Sequence, residues 1–135
     1  MYEFEVIGPI KGKARPRVNT YTGMAYTPND TKDYELLIKQ YFKIKYPRAV
    51  PLEGRLCVKI TAFFKVLKST SKKDAEKMLL GEISPTKKPD IDNITKVVLD
   101  ALNKVAFKDD NQITKIEVEK KYSEEERVLI QITEY

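Results

Sequence analysis

Residues 89–105 read Pro-Asp-Ile-Asp-Asn-Ile-Thr-Lys-Val-Val-Leu-Asp-Ala-Leu-Asn-Lys-Val. Ile94, Val97, Val98, Ala101, Leu102 and Val105 recur at i, i+3, i+4, i+7, i+8 and i+11, the apolar stripe of an α-helix spanning 91–105. Asp92, Lys96 and Asp100 fall at i, i+4 and i+8 on the opposite face. Pro89 fixes where this helix can begin. A helix that is apolar on one side only must lie against another element, so what flanks it decides the fold. On both sides the hydrophobic period changes from 3.6 to 2. Upstream, Leu56, Val58, Ile60, Ala62 and Phe64 alternate with Arg55, Cys57, Lys59, Thr61 and Phe63, predicting a strand. Downstream, Ile113, Ile116 and Val118 belong to a strand, and Val128, Ile130 and Ile132 alternate in another. Ser123–Glu126 is expected to join these last two as a hairpin.

The remaining segments complete the pattern. Tyr2, Phe4 and Val6 alternate with Glu3 and Glu5 in a half-buried strand ended by Gly8 and Pro9. Residues 11–28 read as an irregular loop or loose hairpin turning at Thr20–Gly23. Tyr34, Leu37, Ile38, Tyr41 and Phe42 predict a helix that starts near Asp30 or Thr31 and closes before Pro47. Ser71–Leu80 can form a short basic helix ended by Gly81, and Ser84–Pro89 reads as a linker. The order β, loop, α, β, α, α, β, β predicts an α+β fold: a single domain over 1–135 with a small mixed or antiparallel sheet of about four strands, packed with about three helices.

Composition removes whole classes of chemistry. The 135 residues contain no histidine and one cysteine, Cys57. That excludes imidazole general bases and ligands, histidine-containing triads, an intrachain disulfide and a cysteine-rich zinc site. Any catalysis must come from carboxylates, lysines, tyrosines or an oxygen-bound metal. The 25 basic and 20 acidic residues leave a net charge of +5, pointing to an anionic partner. Met1–Val6 has two glutamates and no apolar signal core, and no run reaches the roughly 18 apolar residues of a membrane helix. The expected setting is cytoplasmic, with no membrane partner.

The acidic residues are concentrated. Asp90 and Asp92 bracket the start of the helix, and Asp109 and Asp110 occupy a loop before the next strand. A chain that turns back after the helix is expected to bring that loop near the helix start or its polar face. Crowded carboxylates repel unless a cation neutralises them, and oxygen-only ligands select Mg²⁺ or Mn²⁺. Such an ion polarises a phosphoryl oxygen and acidifies a water, while a nearby lysine stabilises transition-state charge. Each element also has a plain reading. Asp92-Lys96-Asp100 can be an exposed ion-pair ladder, Asp92 a helix cap, and Asp109-Asp110-Asn111 a turn.

Lys88-Pro-Asp-Ile-Asp-Asn-Ile94, Lys96, Asp100-Ala-Leu-Asn103 and Phe107-Lys-Asp-Asp-Asn-Gln-Ile113 resemble, in order and spacing, the RusA family of Holliday junction resolvases, mostly of phages and prophages. The resemblance implies a homodimeric, Mg²⁺-dependent endonuclease that cuts four-way DNA junctions in recombination and repair. It implies that Asp90, Asp92 and Asp110 are catalytic carboxylates and metal ligands, that Lys96 is the catalytic lysine, and that Lys120 is a basic position. Asp109 and Asp100 match acidic positions, and Asp109 joins the expected metal set. No organic cofactor is expected.

Basic residues are the expected DNA contacts for this function. Lys11, Lys13, Arg15 and Arg17 cluster in a loop that also holds Tyr21, and Lys87 and Lys88 lead into the acidic motif. Cations neutralise phosphates, and tyrosines stack on unpaired bases. Four-way junction DNA is the expected partner, and two-fold symmetry would give a dimer one site for each strand to be cut. The alternative from the same residues is a branched-DNA-binding accessory protein without catalysis.

Overall fold

The computed structural model describes residues 1–14, 17–26 and 29–135. Four strands form the main sheet: β1 (Tyr2–Ile7), β4 (Leu56–Lys65), β5 (Ile113–Ser123) and β6 (Arg127–Glu134), in the order β1-β6-β4-β5. β2 (Arg17–Val18) and β3 (Ala25–Tyr26) form a separate antiparallel pair, the loose hairpin expected in the 11–28 loop. The helices are α1 (Asn29–Lys45), α2 (Lys72–Leu79) and α3 (Ile91–Leu102). This is the predicted α+β architecture, and the sheet is mixed: β4 runs parallel to β5 and antiparallel to β6.

Strand order follows from side-chain polarity. In β4, Leu56, Val58, Ile60, Ala62 and Phe64 are all buried, the pattern of a central strand. β5 interleaves Lys115, Glu117, Glu119 and Lys121 with its apolar residues and leaves Ile116 exposed, which suits an edge. β5 and β6 therefore do not pair as a hairpin. The chain from Ser123 to Arg127 steps over the end of β4, which lies between them with Phe63 opposite Arg127 and Lys65 opposite Ser123. The expectation of a hairpin fails because β4 has the stronger claim to the central position: a strand with that apolar face is stabilised by a neighbour on each side.

One face of the sheet carries the core. Phe4 and Val6 from β1, Val128, Ile130 and Ile132 from β6, and the buried β4 residues face Tyr34, Ile38 and Phe42 of α1 and the stripe of α3. The stripe is buried at Ile94, Val97, Val98, Ala101 and Leu102. α3 stops at Leu102, three residues short of the periodic pattern. Asn103 is extended and Lys104 adopts a positive φ of 67°, while the Val105 and Ala106 amides still bond to the Leu102 carbonyl. That tight reversal lets Ala106 and Phe107 bury completely and brings Phe107 beside Leu52. Val105 remains partly buried against the core.

α2 has a Ser71 cap, whose hydroxyl accepts from the Asp74 amide, and Gly81 at φ 84° closes it, as the sequence predicts. None of its residues is buried. Among the described residues, no helix is long and apolar enough to cross a membrane.

Candidate active site

Asp90 is the N-cap of α3, with extended φ and ψ of −70° and 157°, yet its side chain makes no capping hydrogen bond. An aspartate in this position ordinarily accepts from an amide of the first turn. Here the carboxylate is exposed and left without that partner. Asp92 follows in the first turn, also exposed, and Lys96 lies one turn further on. None of the three has an ion-pair partner among the described residues. The ladder that their i, i+4 spacing allows does not form: Asp92 makes no ion pair with Lys96, and Asp100 pairs instead with Lys13.

That engagement involves the N-terminal basic loop. The Lys13 ammonium lies 2.6 Å from Glu35 of α1 and 3.2 Å from Asp100 of α3. Its side chain is only 15% exposed. Burial opposes the charged form, but hydrogen bonds and attraction from Glu35 and Asp100 outweigh it and hold the ammonium above the usual lysine range. The Lys13 amide also donates to the Asn93 carbonyl at 2.9 Å. Next to it, a β-carbon on Gly12 would stand 2.7 Å from Cβ of Pro89 and 2.9 Å from Cβ of Asn93. Only glycine lets the loop lie this close to the start of α3. Glu35 and Gly12 were not visible as site residues in the sequence: a glutamate on an amphipathic helix and a glycine in a polar loop are common, and their partners are distant in the chain.

Lys13 is therefore not placed as the exposed phosphate contact its neighbours suggest. Lys11 and Tyr21 are exposed, Tyr21 at 98%. Arg15 and the side chain of Arg17 lie outside the described residues. Lys87 and Lys88 are exposed just before Asp90. Lys120 of β5 reaches the Lys87 carbonyl, and both ammonium groups stand over the Phe64 ring, at 5.2 Å for Lys120 and 5.7 Å for Lys87. This aromatic shelf holds two cations beside the acidic motif.

Asp109 and Asp110 lie at the other end of α3. Asp109 caps a 3₁₀ turn, Asp110–Gln112: its carboxylate accepts from the Asn111 amide at 3.4 Å, and the Gln112 side chain accepts from the Asp109 amide at 2.9 Å. Gln112 also donates to the Leu52 and Gly54 carbonyls, both at 2.9 Å, anchoring the turn beside the start of β4. Asp110 is exposed with no ion-pair partner among the described residues. β5 then runs from Ile113 to Lys120 before it reaches Lys87, a path of about 23 Å at strand rise. α3 covers about 18 Å in the opposite sense. The acidic loop thus does not fold back onto the start of α3, and among the described residues no three carboxylates stand close enough to share an ion. The cause is the parallel pairing of β4 with β5. It obliges the chain to return to the beginning of the sheet before β5 can start.

A family model described as Endodeoxyribonuclease RusA matches residues 8–133, nearly the whole chain. The chain belongs to the RusA endodeoxyribonuclease family. A Bacillus subtilis (strain 168) relative, the uncharacterised protein YqaN, is 35% identical over 137 residues, covering 98% of this chain and 95% of its own length. By this membership the chain is a nuclease. The donor set fits a hard divalent cation: Asp90, Asp92 and Asp110 offer exposed carboxylate oxygens, and no soft ligand stands among them. Of these three, Asp90 and Asp92 stand together at the start of α3, and Asp110 lies beyond its other end.

Proposed function

We propose that this RusA-family protein is a homodimeric, Mg²⁺-dependent endonuclease that resolves four-way DNA junctions by paired nicks. The observation that carries this reading is the start of α3: exposed Asp90, whose side chain makes no capping bond, and exposed Asp92, one turn before a Lys96 that has no ion-pair partner among the described residues. Asp90 and Asp92 would hold the cation, with Asp110 contributed by a second copy, since its own chain keeps it at the far end of the helix. Two-fold symmetry then creates two equivalent sites, one for each strand to be cut. The exposed edge of β5, with Ile116 at 41% exposure, offers surface for such a partner.

When bound, Mg²⁺ or Mn²⁺ supplies charge for the scissile phosphoryl oxygen and a more acidic water. The chain's residues do the rest. Asp90 and Asp92 fix the cation relative to the backbone of α3. Lys96 presents an ammonium to the charge that builds on the phosphorus oxygens. Lys87, Lys88 and Lys120 bind flanking phosphates, and Lys11 and Tyr21, with Arg15 and Arg17, engage the arms and the open centre.

The test is Asp92→Asn on a synthetic four-way junction in Mg²⁺. The expected outcome is loss of nicking with junction binding retained. Undiminished nicking overturns the metal-site assignment. Retained binding by a wild-type protein that never nicks in Mg²⁺ favours the non-catalytic accessory reading.

A further inference from the structure

Lys96 and Asp100 are four residues apart on the same face of α3, the spacing at which a lysine and an aspartate ordinarily pair. They do not pair. Asp100 turns instead to Lys13, at 3.2 Å, and Lys13 is held from its other side by Glu35 at 2.6 Å. Lys13 cannot easily leave, because its amide is tied to Asn93 and the neighbouring Gly12 is wedged against Pro89 and Asn93. The three side chains come from the basic loop, α1 and α3. An exposed surface pair does not need such an anchor.

We propose that Lys13 is a positioning residue: by holding Asp100, it keeps the Lys96 ammonium free of a carboxylate partner and available to the scissile phosphate. This inference rests on the reading of Lys96 given above. Asp92, the other carboxylate one turn from Lys96, is engaged by the cation in that reading, so Asp100 is the group whose charge must be kept away. Release of Asp100 would harm Lys96 in two ways. It would hold the ammonium at the wrong place along the helix, and it would add an uncompensated negative charge near an incoming phosphate. The device also links two functions, since the loop that carries Lys11 is the loop that carries Lys13.

The experiment compares wild type, K96M, K13M, D100N and K13M/D100N on a four-way junction, with single-turnover nicking in Mg²⁺ and junction affinity in its absence. K13M is expected to lower the nicking rate about tenfold with affinity changed less than about twofold, and adding D100N is expected to restore most of the rate. A second readout needs no catalysis: Lys96 acetylation by a limiting amine-reactive ester, followed by peptide mass spectrometry. Pairing raises the fraction of protonated amine, so Lys96 should react more slowly in K13M and recover in K13M/D100N. K13M leaves Glu35 without its cation. Should that variant fail to fold, K13M/E35M replaces the half-buried pair with apolar side chains, keeps the net charge of the cluster, and still releases Asp100.

An unchanged rate in K13M, or K13M/D100N no faster than K13M, overturns the proposal. So does weakened binding with an unchanged rate, which would make Lys13 a phosphate contact. Undiminished nicking by K96M overturns the role of Lys96 itself, a failure of the underlying reading that the K13M series alone would not produce.

Discussion

The two ends of α3 carry the same residue type in opposite conditions. At the start, Asp90 occupies a cap position without making the capping bond, and Asp92 stands exposed beside it. Beyond the other end, Asp109 makes a full reciprocal cap with Gln112, and its neighbour Asp110 is left open. The difference separates an aspartate whose carboxylate is bonded to its own backbone from aspartates that make no such bond among the described residues. A carboxylate bonded to its own backbone stabilises a turn; one denied that bond is disposed to take a metal or a charged ligand. Sequence alone presents all four as one acidic motif.

The largest expected effect tests whether the two ends cooperate between subunits. D90N and D110N are each expected to lack nicking activity. Mixed and allowed to exchange subunits, they are expected to regain it, because one of the two hybrid sites then holds Asp90, Asp92 and Asp110 intact. A mixture as inactive as its components, with exchange confirmed by a tagged subunit, would place the whole site in one chain. Next in size is Gly12→Ala. Its methyl group collides with Pro89 and Asn93, so thermal denaturation should show a loss of about 1–3 kcal/mol, and nicking should fall as the start of α3 shifts. A G12A protein as stable as wild type would mean that the loop does not press on α3.

Asp109→Ala sharpens the contrast with Asp110. Loss of the cap should lower stability by about 1 kcal/mol, while D110A should leave stability nearly unchanged and abolish nicking. The reverse pattern would exchange their roles. The smallest effect concerns pH. Lys13 is raised above the ordinary lysine value of about 10.4, so its stabilising contribution is complete below that pH and fades as pH rises through the higher folded value. The stability gap between wild type and K13M should therefore hold from neutral pH to about 10 and narrow above it, as read by urea denaturation. A gap already closing near pH 8 would contradict the ion cluster.

Much of the fold was legible because burial imposes periods that local sequence records. The stripe from Ile94 to Leu102 and the alternation in β1 and β4 each appear as buried faces. Two features were not. The end of α3 depends on Asn103 and Lys104 turning so that Phe107 can reach its place beside Leu52, a partner far away in the chain. The separation of β5 from β6 depends on competition among strands for the central position, which no single strand's pattern expresses. In the site, the acidic motif was legible as a motif, but its division into capped and uncapped members was not.

The sequence by itself determined the chemistry available: no imidazole, one thiol, two pairs of neighbouring aspartates and a lysine one turn beyond Asp92. Composition and local order cannot be altered by folding. The tertiary structure decided which charges meet. It brought Lys13 to Glu35 and Asp100, kept Lys96 apart from Asp100, and set Asp110 at the opposite end of α3 from Asp90 and Asp92. Electrostatic pairing depends on distance through space: the packing of the N-terminal loop against α1 and α3 sets the Lys13 cluster, and the parallel placement of β5 beside β4 sets Asp110 at the far end of α3.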